Sequence, residues 1–442
     1  MSNLIKTNHL GKSLREHDAL LFDYIEGIEL SDIFFKGDVN KERCVQIIYD
    51  RNKFSLNTSY YIGVDWLAEN QQAIYVAPKI NDGKQQVDYL GILDSCLKHG
   101  DIAKNTKDLY DIKLNDSFIE IDQQLDLLTP LLIMQFLQLL KDIVRKGLKK
   151  SYYKVERNLS CRIKGKVLVA ENIKKNLAQN KATNTFCSYD EFGFNSVQNK
   201  VLKRTLSFIH RYLSKFPEYL GSTKNLIDYC TPAFESVSDK VNLHELKAIK
   251  HNSFYKEYEE ALKLSKIILK RFGYHINELD NNTVGKTSVP PFWIDMSKLF
   301  ELYVLGLLKD KYGDQIIFQA KGSYGSPDYL LLDDIEPLII DAKYRPTYQQ
   351  DGYLSYIIKD IRQISGYARD KGILTKLGCH TKEEQTSKVV SCVVIYTDQS
   401  KGDKLPESLT AENSIKGFTR FYKVPIAVPI LENKELNNFE SK

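Results

Sequence analysis

Short runs of β-branched and aromatic residues, broken by turn chemistry, fill the start of the chain. Cys44–Tyr49 and Tyr60–Val64 are such runs, and Lys36-Gly37-Asp38, Asp50-Arg51-Asn52 and Asn81-Asp82-Gly83 punctuate them. This pattern predicts a β-rich N-terminal domain over residues 1–90. The period then changes. Apolar positions three and four apart predict helices over Pro130–Leu148, Asn199–Leu213 and Tyr255–Phe272, with Val201, Leu202, Leu206 and Ile209 forming one stripe. Residues 91–290 therefore read as a mainly helical middle region, with a short β-excursion at Ser160–Glu171. The Asn-, Gly- and Pro-bearing stretch Asn281–Pro291 marks a boundary. Residues 291–442 predict a helix at Met296–Tyr312 and strands at Gln315–Gln319, Asp328–Leu332 and Leu338–Lys343. A helix at Tyr353–Lys371, a strand at Lys388–Tyr396 and a strand-rich stretch at Phe418–Ile430 complete an αβββαβ order. The expected fold class is multidomain α+β: a β-rich N-terminal domain, a helical middle and a C-terminal α/β domain.

Composition narrows the function classes. With 442 residues, 43% of them hydrophobic and 27% charged, the chain can build several cores and is not a disordered protein. The most apolar stretch, Leu125–Leu140, is interrupted by Asp126, Thr129, Pro130, Gln135 and Gln138, whereas a membrane span needs ~20 nearly unbroken apolar residues. The N-terminus lacks the apolar core of a signal peptide. A cytoplasmic protein with no membrane partner is expected. Seven cysteines without a C-x-x-C pair and eight scattered histidines argue against a disulfide framework or a zinc site. The net charge of +5 permits contact with nucleic acid without establishing it.

Two phosphate-loop lookalikes fail. Before Gly285-Lys286-Thr287, Asp280 stands where the loop needs glycine, and Ser288-Val289-Pro290-Pro291 cannot begin a normal helix. Before Gly11-Lys12-Ser13, the required glycine is Lys6. The chain is not expected to hydrolyse a nucleotide.

The informative segment runs from Ser326-Pro327-Asp328 through Leu330-Leu331-Leu332 and an acidic turn to Leu338-Ile339-Ile340-Asp341-Ala342-Lys343. Side chains alternate faces along a strand, so Asp341 and Lys343 stand together, ~7 Å apart at the backbone. A hairpin centred on the Asp334–Ile335 bond places Asp328 directly opposite Asp341. Two facing carboxylates destabilise a sheet, and a divalent cation would relieve them. A solvent-facing hairpin with scattered charges is the competing reading, but the Leu/Ile runs are apolar on both faces, as in a covered strand. Glu301 lies inside the apolar Leu299–Leu305 run, at a helix edge or as a buried ligand. Gln363 and Tyr367, four apart, share a helix face.

An acidic helix, then P-D, D-A-K and Q-x-x-x-Y is similar to the PD-(D/E)xK nuclease superfamily, in its RecB-like branch. More narrowly, the chain resembles the McrC-type nuclease subunits of McrBC modification-dependent restriction systems. The segments carrying that resemblance are Glu156–Val167, Tyr189-Asp190-Glu191-Phe192, Asn199-Lys200-Val201-Leu202-Lys203, Phe300–Tyr303 and Ile340–Tyr344. The resemblance implies a C-terminal PD-(D/E)xK core and an Mg2+-dependent DNA endonuclease. Asp328, Asp341 and the Ala342 carbonyl would hold Mg2+, with Glu301 as a further ligand directly or through water. Lys343 would orient the attacking water, and Gln363 and Tyr367 would position the motif or the DNA. It also implies two partners: modified double-stranded DNA, and a hexameric AAA+ GTPase ring of the McrB type. The N-terminal domain would then be the docking region, with Arg51 and Lys53 at a basic turn as candidate contacts, against the competing reading of an ordinary surface hairpin. A self-sufficient restriction or repair nuclease, and a non-cleaving DNA-binding scaffold, stay open as alternatives.

Overall fold

The computed structural model describes residues 3–6, 13–23, 30–37, 42–50, 53–80, 86–88, 91–92, 109–113, 116–122, 128–215, 220–240, 256–273, 286–333, 335–345 and 355–431. Arg51, the turn at Asn81-Asp82-Gly83 and both phosphate-loop glycines lie outside them. The chain forms two compact units, one of residues 1–128 with 284–442 and the other of residues 129–283. Among the described residues no helix is long and apolar enough to cross a membrane.

The first unit joins what the sequence reading separates as residues 1–90 and 291–442. The strand Phe292–Asp295 is paired on both sides by segments from the other end of the chain, Tyr61–Ala68 and Tyr110–Ile112. It lies inside a five-stranded sheet that also contains Gln72–Val76 and Asn3–Ile5. Gly63 makes this possible. It has a φ of +151°, and a Cβ there would stand 2.0 Å from the Phe292 carbonyl oxygen. Trp293 is fully buried in a core with Leu14, Leu20, Phe54, Leu56, Ile74 and Val76. Its indole N–H donates to Asp65 Oδ2 at 2.8 Å, and Lys113 Nζ reaches the same carboxylate oxygen at 2.6 Å. A four-stranded antiparallel sheet of Ala19–Asp23, Ile33–Phe34, Arg43–Asp50 and Lys53–Thr58 completes the N-terminal part.

The rest of this unit is a second five-stranded sheet in the order Ile316–Phe318, Tyr329–Leu331, Leu338–Lys343, Ser391–Thr397, Phe421–Ile426. The first two pairings are antiparallel and the last two are parallel. A parallel pairing needs a long crossover, and the helix Ser355–Tyr367 lies in it. Pro425 is tolerated because its strand is at the sheet edge. Leu338 to Ala342 are all buried, as a central strand requires. The helix Met296–Tyr312 is buried around most of its circumference, with Asp295 as its N-cap. On the other face, Ile361 and Ile364 pack with Leu330 and Ile339.

The second unit carries the expected helices as Leu128–Lys146, Val197–Lys215 and Lys256–Gly273. It is less helical than its sequence suggests. Ser151–Ser160 and Asn184–Gly193 pair over ten residues, with Lys166–Val167 as a third strand. The short β-excursion expected at Ser160–Glu171 holds only the last residue of the first strand and the two-residue strand Lys166–Val167, and its end opens the helix Val169–Lys175. Most of Ser151–Ser160 is exposed or half-buried, so it has no buried apolar face to mark it.

Candidate active site

The hairpin register is the one its symmetry predicts. Tyr329 pairs with Ile340, Leu330 with Ile339 and Leu331 with Leu338, so the next step places Asp328 opposite Asp341. Asp328, Leu330, Ile339, Asp341 and Lys343 share one face. Asp328 Oδ2 accepts the Ala342 N–H at 2.7 Å. This closes the hairpin with a side chain where the regular ladder stops. Lys343 Nζ lies 2.5 Å from Asp341 Oδ2, and Asp341 is only 2% exposed.

Electrostatics bind the acids into one group. Burial, followed by the charges of Asp341 and Glu301, holds the Asp328 carboxyl well above the usual carboxylate range. Burial also raises Asp341, more than Lys343 lowers it. Glu301 is pushed up to about 7 by burial and then by Asp295 and Asp341. Burial opposes the Lys343 charge, but Asp341, Asp328 and Asp360 outweigh it and hold the ammonium above the usual lysine range. Three carboxylates therefore crowd one lysine at the end of a buried strand. That arrangement penalises their ionisation.

No three His, Cys, Asp or Glu side chains among the described residues gather tightly enough to cage an ion by themselves. The donor set that fits a cation is smaller: Asp328 and Asp341 with the Ala342 carbonyl. Asp341 Oδ2 is buried and makes no hydrogen bond beyond its ion-pair contact, so it has acceptor capacity to spare. One or two carboxylates plus retained waters is the coordination habit of Mg2+. Glu301, half-buried in its helix, is close enough to couple electrostatically and suits an outer position.

Gln363 and Tyr367 lie on the Ser355–Tyr367 helix and bond each other, the amide N–H donating to the Tyr367 hydroxyl at 3.0 Å. Gln363 is exposed. Tyr367 lies against Gly325, where a Cβ would meet its ring at 2.9 Å. This packs the loop before Pro327-Asp328 onto the helix. Lys53 begins its strand, exposed and paired in register with Asp50 and Asp23, far in sequence from these acids.

Two further residues belong to the site and were not expected from sequence. Asp360 is buried on the same helix, and Arg345 Nη1 reaches its Oδ2 at 3.1 Å. Neither carried a signal in sequence: Asp360 is a lone acid on its helix, and Arg345 lies past the end of the strand, where the alternation stops.

Residues 56–371 match the family described as "McrBC 5-methylcytosine restriction system component". No curated protein sequence matches the chain. Two solved structures from Thermococcus gammatolerans do. One is a refined half-complex from a tetradecameric assembly of McrB AAA+ hexamers with bound McrC, at 15% identity and a TM-score of 0.36, covering 94% of this chain and 93% of that one. The other is a cryo-EM structure of the McrBC complex, at 16% identity and a TM-score of 0.27, covering 70% of this chain and 87% of that one. The family match spans most of the 442 residues and takes in Glu301, Asp328, Asp341, Lys343, Gln363 and Tyr367, so this chain belongs to the McrBC 5-methylcytosine restriction system components.

Proposed function

We propose that the chain is the McrC-like, Mg2+-dependent endonuclease subunit of a modification-dependent restriction complex. It cuts double-stranded DNA by phosphodiester hydrolysis, on a PD-(D/E)xK core, and it docks on a hexameric McrB-like AAA+ GTPase. The observation that carries this reading is the facing pair Asp328 and Asp341 with Lys343 Nζ 2.5 Å from Asp341, at the end of a buried strand. Asp328, Asp341 and the Ala342 carbonyl would hold Mg2+, which would supply Lewis-acid polarisation of the phosphate and a lowered pKa for water. Asp341 keeps the Lys343 ammonium aimed at the site. Lys343 orients the attacking water and offsets the negative charge that builds on the phosphate. Glu301, pushed up to about 7 in the metal-free chain by burial and the neighbouring acids, would be held ionised by bound Mg2+ and serve as an outer ligand, directly or through water. The exposed Gln363–Tyr367 pair positions the DNA strand. Family membership and the McrB hexamers of the solved relative support the GTPase as partner.

The test is purification with an McrB-like ring and a GTP- and Mg2+-dependent cleavage assay on methylated and unmethylated DNA. Asp341→Ala and Lys343→Ala should each lose cleavage by at least about 10²-fold, the scale of a lost transition-state contact. Both should still raise GTP turnover by the ring. Full cleavage by Asp341→Ala overturns the assignment.

A further inference from the structure

Beyond Lys343 the catalytic strand leaves its sheet. The parallel ladder with Ser391–Thr397 ends at the Lys343–Tyr396 pairing, and Arg345 N–H turns back onto the Lys343 carbonyl at 2.7 Å. Just past that end, the Tyr344 carbonyl accepts from a donor at the other end of the chain, Lys79 Nζ, at 2.5 Å. The same ammonium lies 4.0 Å from the Tyr344 ring centroid. Tyr344 is 4% exposed, and its ring meets Phe300, the neighbour of Glu301, at 5.9 Å. Lys79 thus holds the backbone after Lys343 and the ring that packs on the Glu301 helix.

Lys79 is itself held. Its backbone N–H donates to Glu16 Oε2 at 2.9 Å. Glu16 sits in a turn pinned by Ala77 N–H to the Leu14 carbonyl at 2.8 Å and by the Thr58 hydroxyl to the Arg15 carbonyl at 2.6 Å. Glu16 is 3% exposed, and its Oε1 has no hydrogen-bond partner. Burial, partly offset by Lys79, pushes Glu16 up to about 7, and burial, partly offset by Glu16, pushes Lys79 down to about 8. Glu16 and Lys79 thus influence each other's charge through burial and the backbone bond, while the Lys79 ammonium itself is committed to Tyr344.

We infer that Lys79 is a positioning residue of the nuclease site, a clamp by which the N-terminal part of the first unit sets the strand end that carries Lys343. The inference rests on the proposed nuclease activity for its catalytic half and on geometry alone for the clamp. A lysine working on a scissile phosphate must hold its place closely, because misplacement by about 1 Å costs about 10²-fold in rate. The Lys343 side chain inherits its direction from the backbone that Lys79 grips.

The experiment compares Lys79→Met, Lys79→Arg and Asp341→Ala in the full-length chain assembled with its GTPase ring. Lys79→Met keeps the aliphatic length and removes the donor. It should lower kcat for DNA cleavage about 10–100-fold with KM for DNA within about twofold. Lys79→Arg, which still donates, should recover most of the rate. Amide hydrogen exchange over residues 340–345 should quicken in Lys79→Met and not in Lys79→Arg. If Lys79→Met folds poorly, Lys79→Leu, which also removes the donor, carries the same comparison. Wild-type kcat and wild-type exchange in Lys79→Met overturn the clamp. A loss confined to KM, or one that Lys79→Arg does not recover, overturns positioning. A wild-type assembly that does not cut overturns the nuclease reading and the catalytic half of this inference, and the exchange measurement still decides the clamp.

Discussion

Burial and mutual repulsion act on Glu301, Asp328 and Asp341 in the same direction, and this gives the site a pH signature. Glu301 rises from its ordinary 4.5 to about 7 in the folded chain. The native state therefore keeps a proton that the unfolded chain has already given up. That contribution to stability is complete below 4.5 and is lost as pH rises through 7. Metal-free protein should show a falling Tm from pH 5 to 8 from this group, and Glu301→Gln should flatten that part of the slope. Mg2+ reverses the logic, because it favours ionised carboxylates. It should raise Tm more at pH 8 than at pH 6, by about 1–2 °C per kcal/mol of binding for a unit of this size. Asp328→Asn should remove most of that rise. Equal Mg2+ shifts at both pH values, or an undiminished shift in Asp328→Asn, would argue against these acids as the metal site. Asp328, Asp341 and Lys343 were legible in sequence because a period of two and a symmetric turn fix which side chains face each other. Asp360 and Arg345 were not, since a lone acid on a helix and an arginine after a strand carry no pattern without the fold that joins them.

Among elements, those with a buried face on both sides or a clear helical stripe could be read closely. Leu338–Lys343 and Met296–Tyr312 have the ends the sequence suggests. The hairpin Ser151–Ser160 with Asn184–Gly193 could not, because its first strand alternates only between half-buried and exposed positions and has no buried apolar face. Strand Lys286–Val289 was hidden for another reason. Its four residues look like loop chemistry and become a strand only by pairing with Ile119–Asp122. This same pairing shows that Lys286-Thr287 does not open a helix, as a phosphate loop would. The Gln363–Tyr367 pair allows a separate test of role. Gln363 is exposed and its bond is local, so Gln363→Ala should change stability by no more than about 0.5 kcal/mol. Cleavage should fall, but less than in Asp341→Ala, because no metal ligand is lost. A loss as large as that of Asp341→Ala with folding intact would assign Gln363 a direct part in the chemistry.

At the scale of the whole chain, the sequence reading sets residues 1–90 apart from residues 291–442 as separate domains. The structure argues otherwise. Phe292–Asp295 takes its hydrogen bonds from Tyr61–Ala68 and Tyr110–Ile112, and Trp293 is buried by residues of the first eighty. Removing them strips a strand pairing and leaves a buried tryptophan in water, a loss of several kcal/mol against a domain stability of about 5–15 kcal/mol. Deletion of residues 1–90 should therefore give insoluble or unfolded protein, not a free nuclease. The converse excision should succeed. Residues 129–283 form a unit of their own, and the strands flanking the insertion, Ile119–Asp122 and Lys286–Val289, are antiparallel partners whose near ends, Asp122 and Lys286, face each other. Paired residues on adjacent strands have Cα atoms only about 4.5–5.5 Å apart, so a short Gly/Ser linker in place of residues 129–283 spans the gap without strain, and loop closure over a short linker costs little. The shortened chain should be soluble, unfold in one cooperative transition and retain the Mg2+-dependent rise in Tm. A chain that fails to fold would mean that residues 129–283 support the first unit. A folded chain without the Mg2+ response would place part of the metal site in the excised unit.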